Sequence, residues 1–260
     1  MPSAATSDVD TDYLERAARL LAAPKQAGLA ASAAVGGRVL DVGCGPGVDT
    51  VELARRMGPD GRVDGVDADP AMVAAADRRA GAAGLADRVR HSVAPADALP
   101  FATATFDATR AERLLQHIAE PAATVAEMVR VTRPGGAVVL VDTDWASLSL
   151  AGGDRSVERR VTAGLLTMVP NPTAGRDLRA LLVHAGAVGV TMEPFVVAFT
   201  DLDLARFLAR LTMVEQRLVA AGSIGAGEAE RWQASCVELD AADAFYGHAV
   251  MTVAVGRVAS

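Results

Sequence analysis

Short continuous apolar runs alternate with stretches whose apolar residues recur at helical spacing, the pattern of strands covered on both faces by helices. Arg38–Val42 reads as a first buried strand, followed by a helix that starts at Val51. Arg62–Asp67 and Val89–Val93 read as a second and third strand, with Pro70 suited to the first turn of the helix between them. A fourth strand enters at Phe106-Asp107, a helix spans about Ala122 to Thr132, and Ala137–Asp142 is a fifth strand. Beyond it lie a helical stretch from Arg155 to Val169, a Pro170-Asn171-Pro172 break, and a helix ending near Gly186. A sixth strand, Val190 to Phe199, then precedes a long insertion from Asp201 to Tyr246. That insertion reads as two helices divided at Gly222–Gly227, and Ala249–Val258 is the last strand. Ahead of all this, residues 1–12 carry no pattern. Tyr13–Ala23 has helical spacing, Pro24 breaks it, and Gln26–Ala34 forms a second short helix. The order is that of a doubly wound α/β fold.

The chemistry concentrates between Val39 and Thr50. Gly43, Gly45 and Gly47 stand between the first strand and its helix, where glycine permits tight turns and close approach of backbone to a ligand. Helix-start amides and the macrodipole favour a negative group such as a carboxylate. Two cofactor classes fit a strand, a glycine loop and a helix. A dinucleotide fingerprint wants a glycine where this chain has Val48, and Pro46 removes an amide that a pyrophosphate would use, so the loop is a poor pyrophosphate cradle. Asp67, at the end of the second strand, is placed to accept from both ribose hydroxyls of a nucleoside.

Four further segments follow in register: Asp97-Ala98-Leu99-Pro100-Phe101, Phe106-Asp107, Leu115-Gln116-His117 with Glu120-Pro121, and Arg133-Pro134-Gly135-Gly136. Together with Leu40-Asp41-Val42-Gly43-Cys44-Gly45-Pro46-Gly47 they resemble the class I S-adenosylmethionine-dependent methyltransferases of the ubiquinone/menaquinone type, over roughly residues 36–145. The resemblance implies a mostly parallel seven-stranded sheet with an antiparallel last strand. It implies residues 1–34 as an N-terminal helical cap and 35–260 as the methyltransferase domain, with helical cap insertions at about 146–174 and 201–246. S-adenosyl-L-methionine is the cofactor implied. Asp41, Gly43, Cys44 and Gly45 would lie by its methionine half, Asp67 and Ala68 by the ribose, and Met72, Asp97 and Ala98 by the adenine. Arg110 completes the expected cofactor set.

Composition narrows the partners. Apolar residues make up 51% of the 260, yet no apolar run approaches the roughly 18 residues of a membrane span. Residues 1–12 show no signal-peptide pattern, and two distant cysteines, Cys44 and Cys236, suit a reducing cytoplasm. A net charge of −7 without a basic run argues against nucleic acid. His91, His117, His184 and His248 have no ligand spacing, so no metal is expected. Magnesium-dependent catechol-type enzymes carry an acid just after strand four, where this chain reads Ala108, Thr109 and Arg110.

The expected acceptor is a small, largely apolar metabolite held by Leu165, Leu166, Met168, Val169, Phe207, Leu208, Leu211, Met213 and Val214. Arg110, Arg113 and Arg176 are candidates to fix an acidic group on it. His117 is the candidate general base, ahead of Glu112, Asp142 and Asp144. Methyl transfer to oxygen, carbon or nitrogen fits equally, and a homodimer is left open. Two other readings stand beside it. One is a nicotinamide-dependent oxidoreductase. The other is a cofactor-binding protein that does not move the methyl, serving as a scaffold or a pericyclic-type catalyst.

Overall fold

In a computed structural model of the protein, residues 19–34 and 36–260 are described, and the helix read from Tyr13 lies largely outside them. Strands are β1 (Arg38–Val42), β2 (Arg62–Asp67), β3 (Val89–Val93), β4 (Phe106–Glu112), β5 (Thr132–Leu150), β6 (Ala187–Phe199) and β7 (Gly247–Val258). Helices are α1 (Ala22–Ser32), α2 (Val48–Arg56), α3 (Pro70–Ala82), α4 (Pro121–Val131), α5 (Arg155–Leu166), α6 (Ala174–His184), α7 (Leu202–Leu208), α8 (Leu211–Ala220) and α9 (Ala226–Ala241). One sheet runs β3-β2-β1-β4-β5-β7-β6, mostly parallel with an antiparallel last strand. Strand order reverses between β1 and β4, and the crevice at the carboxyl ends of such strands is where open α/β sheets bind ligands.

The chain divides into two compact units. One comprises residues 24–144, 169–195 and 250–260. Its core joins Leu40, Val42, Val138 and Leu140 of the sheet to Met128 of α4 and Leu178 of α6. The register pairs Phe106 with Thr132 and then Ala108 with Ala137. The Arg133-Pro134-Gly135-Gly136 segment, which reads in sequence as a helix stop ahead of the strand, is therefore an outward bulge inside β5. Asp69 caps α3 by accepting from the Ala71 amide, with Pro70 in the first turn as its fixed φ favours. The break between the two helices falls at Leu21 rather than at Pro24. Pro24 lies in the first turn of α1, where a proline's missing donor costs nothing.

The second unit is built chiefly from residues 145–168 and 196–249. Here α5 packs on α8, and Gly164 lets Leu218 approach closely: a Cβ there would meet its side chain at 3.0 Å. Asp154 and Asp201 cap α5 and α7 through backbone amides. Residues 201–246 hold three helices where the sequence pattern predicts two. The extra break is at Arg210, in the left-handed region at φ 50° with neither glycine nor proline to announce it.

Candidate functional site

The glycine loop is held in place by its own backbone. The amides of Gly43 and Cys44 both donate to the Val66 carbonyl of β2, at 2.8 and 2.9 Å. Gly47 N–H donates to the Cys44 carbonyl and Gly45 N–H to Asp67 Oδ2 at 2.9 Å. Four loop amides are thus already used, and Pro46 has none. The loop offers a ligand space rather than donors, which is why it cannot cradle a pyrophosphate. That space needs glycine at Gly47: φ is 74°, and a Cβ would sit 2.8 Å from the Ala76 Cα of α3.

Two acids stand at the ends of neighbouring strands. Asp67 closes β2, with Oδ2 accepting from Gly45 N–H and Oδ1 from Asp69 N–H, both at 2.9 Å. A carboxylate has about four acceptor sites, so each oxygen retains one. Asp97, in the loop after β3, is exposed and has no hydrogen-bond partner among the described residues. Ala68 and Ala98 are exposed beside them. Met72, Val48 and Val93 are exposed apolar side chains at the start of α3, the start of α2 and the end of β3. Exposed apolar groups at strand ends suit the faces of a planar base.

Beneath the crevice five charged side chains gather. Arg110 of β4 is fully buried and donates from Nη1 to Asp41 at 3.2 Å and Asp49 at 3.0 Å, and from Nη2 to Glu112 at 2.5 Å. Lys25 of α1 donates to both Asp49 oxygens at 2.6 and 2.8 Å and lies 3.3 Å from Glu112. Three carboxylates therefore face two cations, and burial pushes the Asp41 carboxyl up despite Arg110 beside it. Burial works against the Asp49 charge too, but Arg110 and Lys25 hold it below the usual carboxylate range. Burial also disfavours the Arg110 charge, and its three acids outweigh that and keep it ionised.

The family model for a methyltransferase domain matches residues 39–136. An O-methyltransferase of Aspergillus nomiae is 31% identical, over 64% of this chain and 68% of its own length. The chain belongs to the class I S-adenosylmethionine-dependent methyltransferases, and S-adenosylmethionine is its cofactor. An uncharacterised protein encoded in a Streptomyces fradiae transposon is 36% identical over 76% of this chain. The chain spans about half the length of the curated relatives it matches. The YcgJ protein of Bacillus subtilis shares the fold at a TM-score of 0.63 and 17% identity, over 91% of this chain and 98% of that one.

The residues present fit the cofactor of a methyltransferase. Unused acceptor sites on Asp67 suit two ribose hydroxyls, the unpartnered Asp97 suits an exocyclic amine, and the loop leaves room without demanding phosphate. Arg110 has both terminal nitrogens on carboxylates and no exposed part, so any effect it has on a ligand runs through Asp41, Asp49 and Glu112. Arg176 is half-exposed and paired with Asp144 at 2.7 Å. Glu112, a secondary base candidate in the sequence, closes strand four and pairs with Arg110 and Lys25.

His117 ends a single 3₁₀ turn, Leu115–His117, just after β4, and is exposed. The buried Asp142 of β5 holds this turn: Oδ2 accepts from the Gln116 amide at 3.2 Å and Oδ1 from Thr143 N–H at 2.9 Å. Burial pushes the Asp142 carboxyl up to about 7, against the pull of these amides. An acid protonated in the folded state but ionised in the unfolded chain loses stability as pH rises between the two pKa values, from about 4 to 7. Urea unfolding at pH 5 and pH 8 is therefore expected to show the parent losing about 2–3 kcal/mol more than Asp142→Asn, and equal losses would contradict it.

Lys25, Asp49, Val48 and Val93 escaped the sequence reading. Lys25 alone carried a signal, as the single lysine of a chain that otherwise uses arginine.

Proposed function

We propose that the chain transfers a methyl group in line to oxygen, carbon or nitrogen of a small, largely apolar metabolite of specialised metabolism, in the cytoplasm and without a metal. The observation that carries this reading is the pair Asp67 and Asp97, two acids at adjacent strand ends whose acceptor capacity the protein leaves unused. When bound, S-adenosylmethionine supplies a methyl already activated on a sulfonium, so the protein's work is to orient the acceptor and exclude water. Asp67, Asp97 and the loop of Gly43, Cys44 and Gly45 hold the cofactor. His117 removes the acceptor's proton, its 3₁₀ turn fixed by Asp142.

The helical unit supports the acceptor class. A hollow of about 440 Å³ there is lined by Gly164, Met168, Val214 and Leu218, with Arg160 and Arg217 among its polar groups. Arg160 is engaged by Glu228 at 2.9 Å. Arg217 is exposed and has no ion-pair partner among the described residues, so it is the arginine available for an acidic substituent.

Calorimetry with S-adenosylmethionine, followed by a screen for S-adenosylhomocysteine release over phenolic, enolic and amine acceptors, tests the reading. Binding with release on at least one apolar acceptor is expected. Binding without release on any of them would favour a non-transferring scaffold. For an acceptor that must lose a proton, His117→Ala is expected to lower kcat about 10²-fold and to leave cofactor affinity unchanged. Turnover within a few-fold of the parent across pH 6–9 would remove His117 from the mechanism.

A further inference from the structure

Beneath the glycine loop, three side chains that the methyl transfer does not use form a chain of hydrogen bonds. Thr50 of α2, fully buried, lies with Oγ1 3.1 Å from the Gly47 carbonyl and 2.9 Å from Nε2 of His91 on β3. The other ring nitrogen, Nδ1, is 2.8 Å from Asp77 Oδ1 on α3. None of the His91 side chain is exposed, whereas that of Asp77 is 58% exposed. The ring fits because β2 carries Gly65 opposite it: a Cβ there would stand 2.6 Å from His91 Cδ2 and 2.9 Å from Cys44 Sγ. So the ring packs beside the loop's own cysteine. The same helix holds the adjoining loop carbonyl, since Arg79 Nε donates to Pro46 at 2.9 Å.

We propose that His91 and Asp77 are positioning residues for the cofactor, fixing the glycine loop through Thr50. The proposal rests on the reading that this loop holds the methionine half of S-adenosylmethionine.

Counting donors gives the direction. The Gly47 carbonyl can only accept, and Thr50 has one hydroxyl proton to give. With Thr50 donating to Gly47, its oxygen accepts from Nε2–H, and the other ring nitrogen lies against the Asp77 carboxylate.

Other charges around the ring are committed elsewhere or point to solvent. On α2, Asp49 is held by Lys25 and Arg110, and Glu52 by Arg56. On β2, Asp64 is held by Arg38 and Asp67 by backbone amides. Arg55, Arg78 and Arg90 are exposed. The Cys44 thiol, pushed up by burial and by Asp41 and Asp67, keeps its proton throughout the working range. Asp77 is the acid that touches the ring.

The test is calorimetric affinity for S-adenosylmethionine beside saturated kcat. Thr50→Val and His91→Phe should bind about fivefold more weakly than the parent, and Thr50→Ser should restore parental behaviour. Asp77→Asn, an exposed change with little folding risk, should weaken binding by about twofold. Saturated kcat should stay near parental in all four. Parental affinity in Thr50→Val, or in both His91→Phe and Asp77→Asn, overturns the relay. Asp67→Ala separates this from failure of the loop reading. If Asp67→Ala weakens binding and Thr50→Val does not, the relay alone is wrong; if neither weakens it, the loop does not hold the cofactor.

Discussion

Arg110→Met lowers the unfolding free energy by about 3–5 kcal/mol, the usual cost of removing one partner from a buried ion pair. The reason is the carboxylates left behind. Asp41, Asp49 and Glu112 lose their shared guanidinium, and Lys25 pairs with Asp49 and Glu112 rather than with Asp41. Asp41 is already pushed up by burial with Arg110 in place, so without it the acid stays protonated in the fold and the loss grows with pH. Methionine matches the volume, so a cavity is not the cause. Lys25→Met is the comparison. Lys25 is 26% exposed, so solvent screening applies, and its loss should stay near 1 kcal/mol. Urea unfolding at pH 7.5 measures both, and equal costs for the two variants would mean the cluster is not organised around Arg110.

This cluster marks the boundary of what the sequence reveals. Val138, Val139 and Leu140 announce a buried parallel strand because both faces of that run are apolar. Gly43 and Gly47 announce the loop because positive φ selects for glycine. Asp67 is legible from its place at a strand end, and Asp97 from the resemblance of its segment to that of the family.

Arg110 is different. A charged residue in a strand reads as a solvated face, and its partners come from β1, α2 and its own strand. Only the folded sheet brings them together. Thr50, Asp77 and His91 are hidden for the same reason: each is ordinary in its own element, and the relay exists only where α2, α3 and β3 meet. Arg210 shows a second kind of blindness. Its left-handed φ breaks a helix that local sequence would continue, so tertiary packing decided that boundary.

Asp67→Ala weakens S-adenosylmethionine binding by about 10²- to 10³-fold, because hydrogen bonds to a charged group are worth about 1.5–3 kcal/mol each. The carboxylate has two duties. It holds the loop amide of Gly45 and the amide of Asp69, and its remaining acceptor sites suit the two ribose hydroxyls. Alanine ends both, leaving the Gly45 N–H without a partner in a part-buried place. Asp67→Asn keeps one acceptor oxygen but points an amide donor where the other accepted, so an intermediate loss of about tenfold is expected. The ribose hydroxyls take no part in the bonds that change, so this binding is uniform and kcat at saturating cofactor should change little. A KM rise with kcat retained is therefore the signature. A fall in kcat at saturation would mean that Asp67 acts on the geometry of transfer through Gly45, and an unchanged affinity would place the ribose elsewhere in the fold.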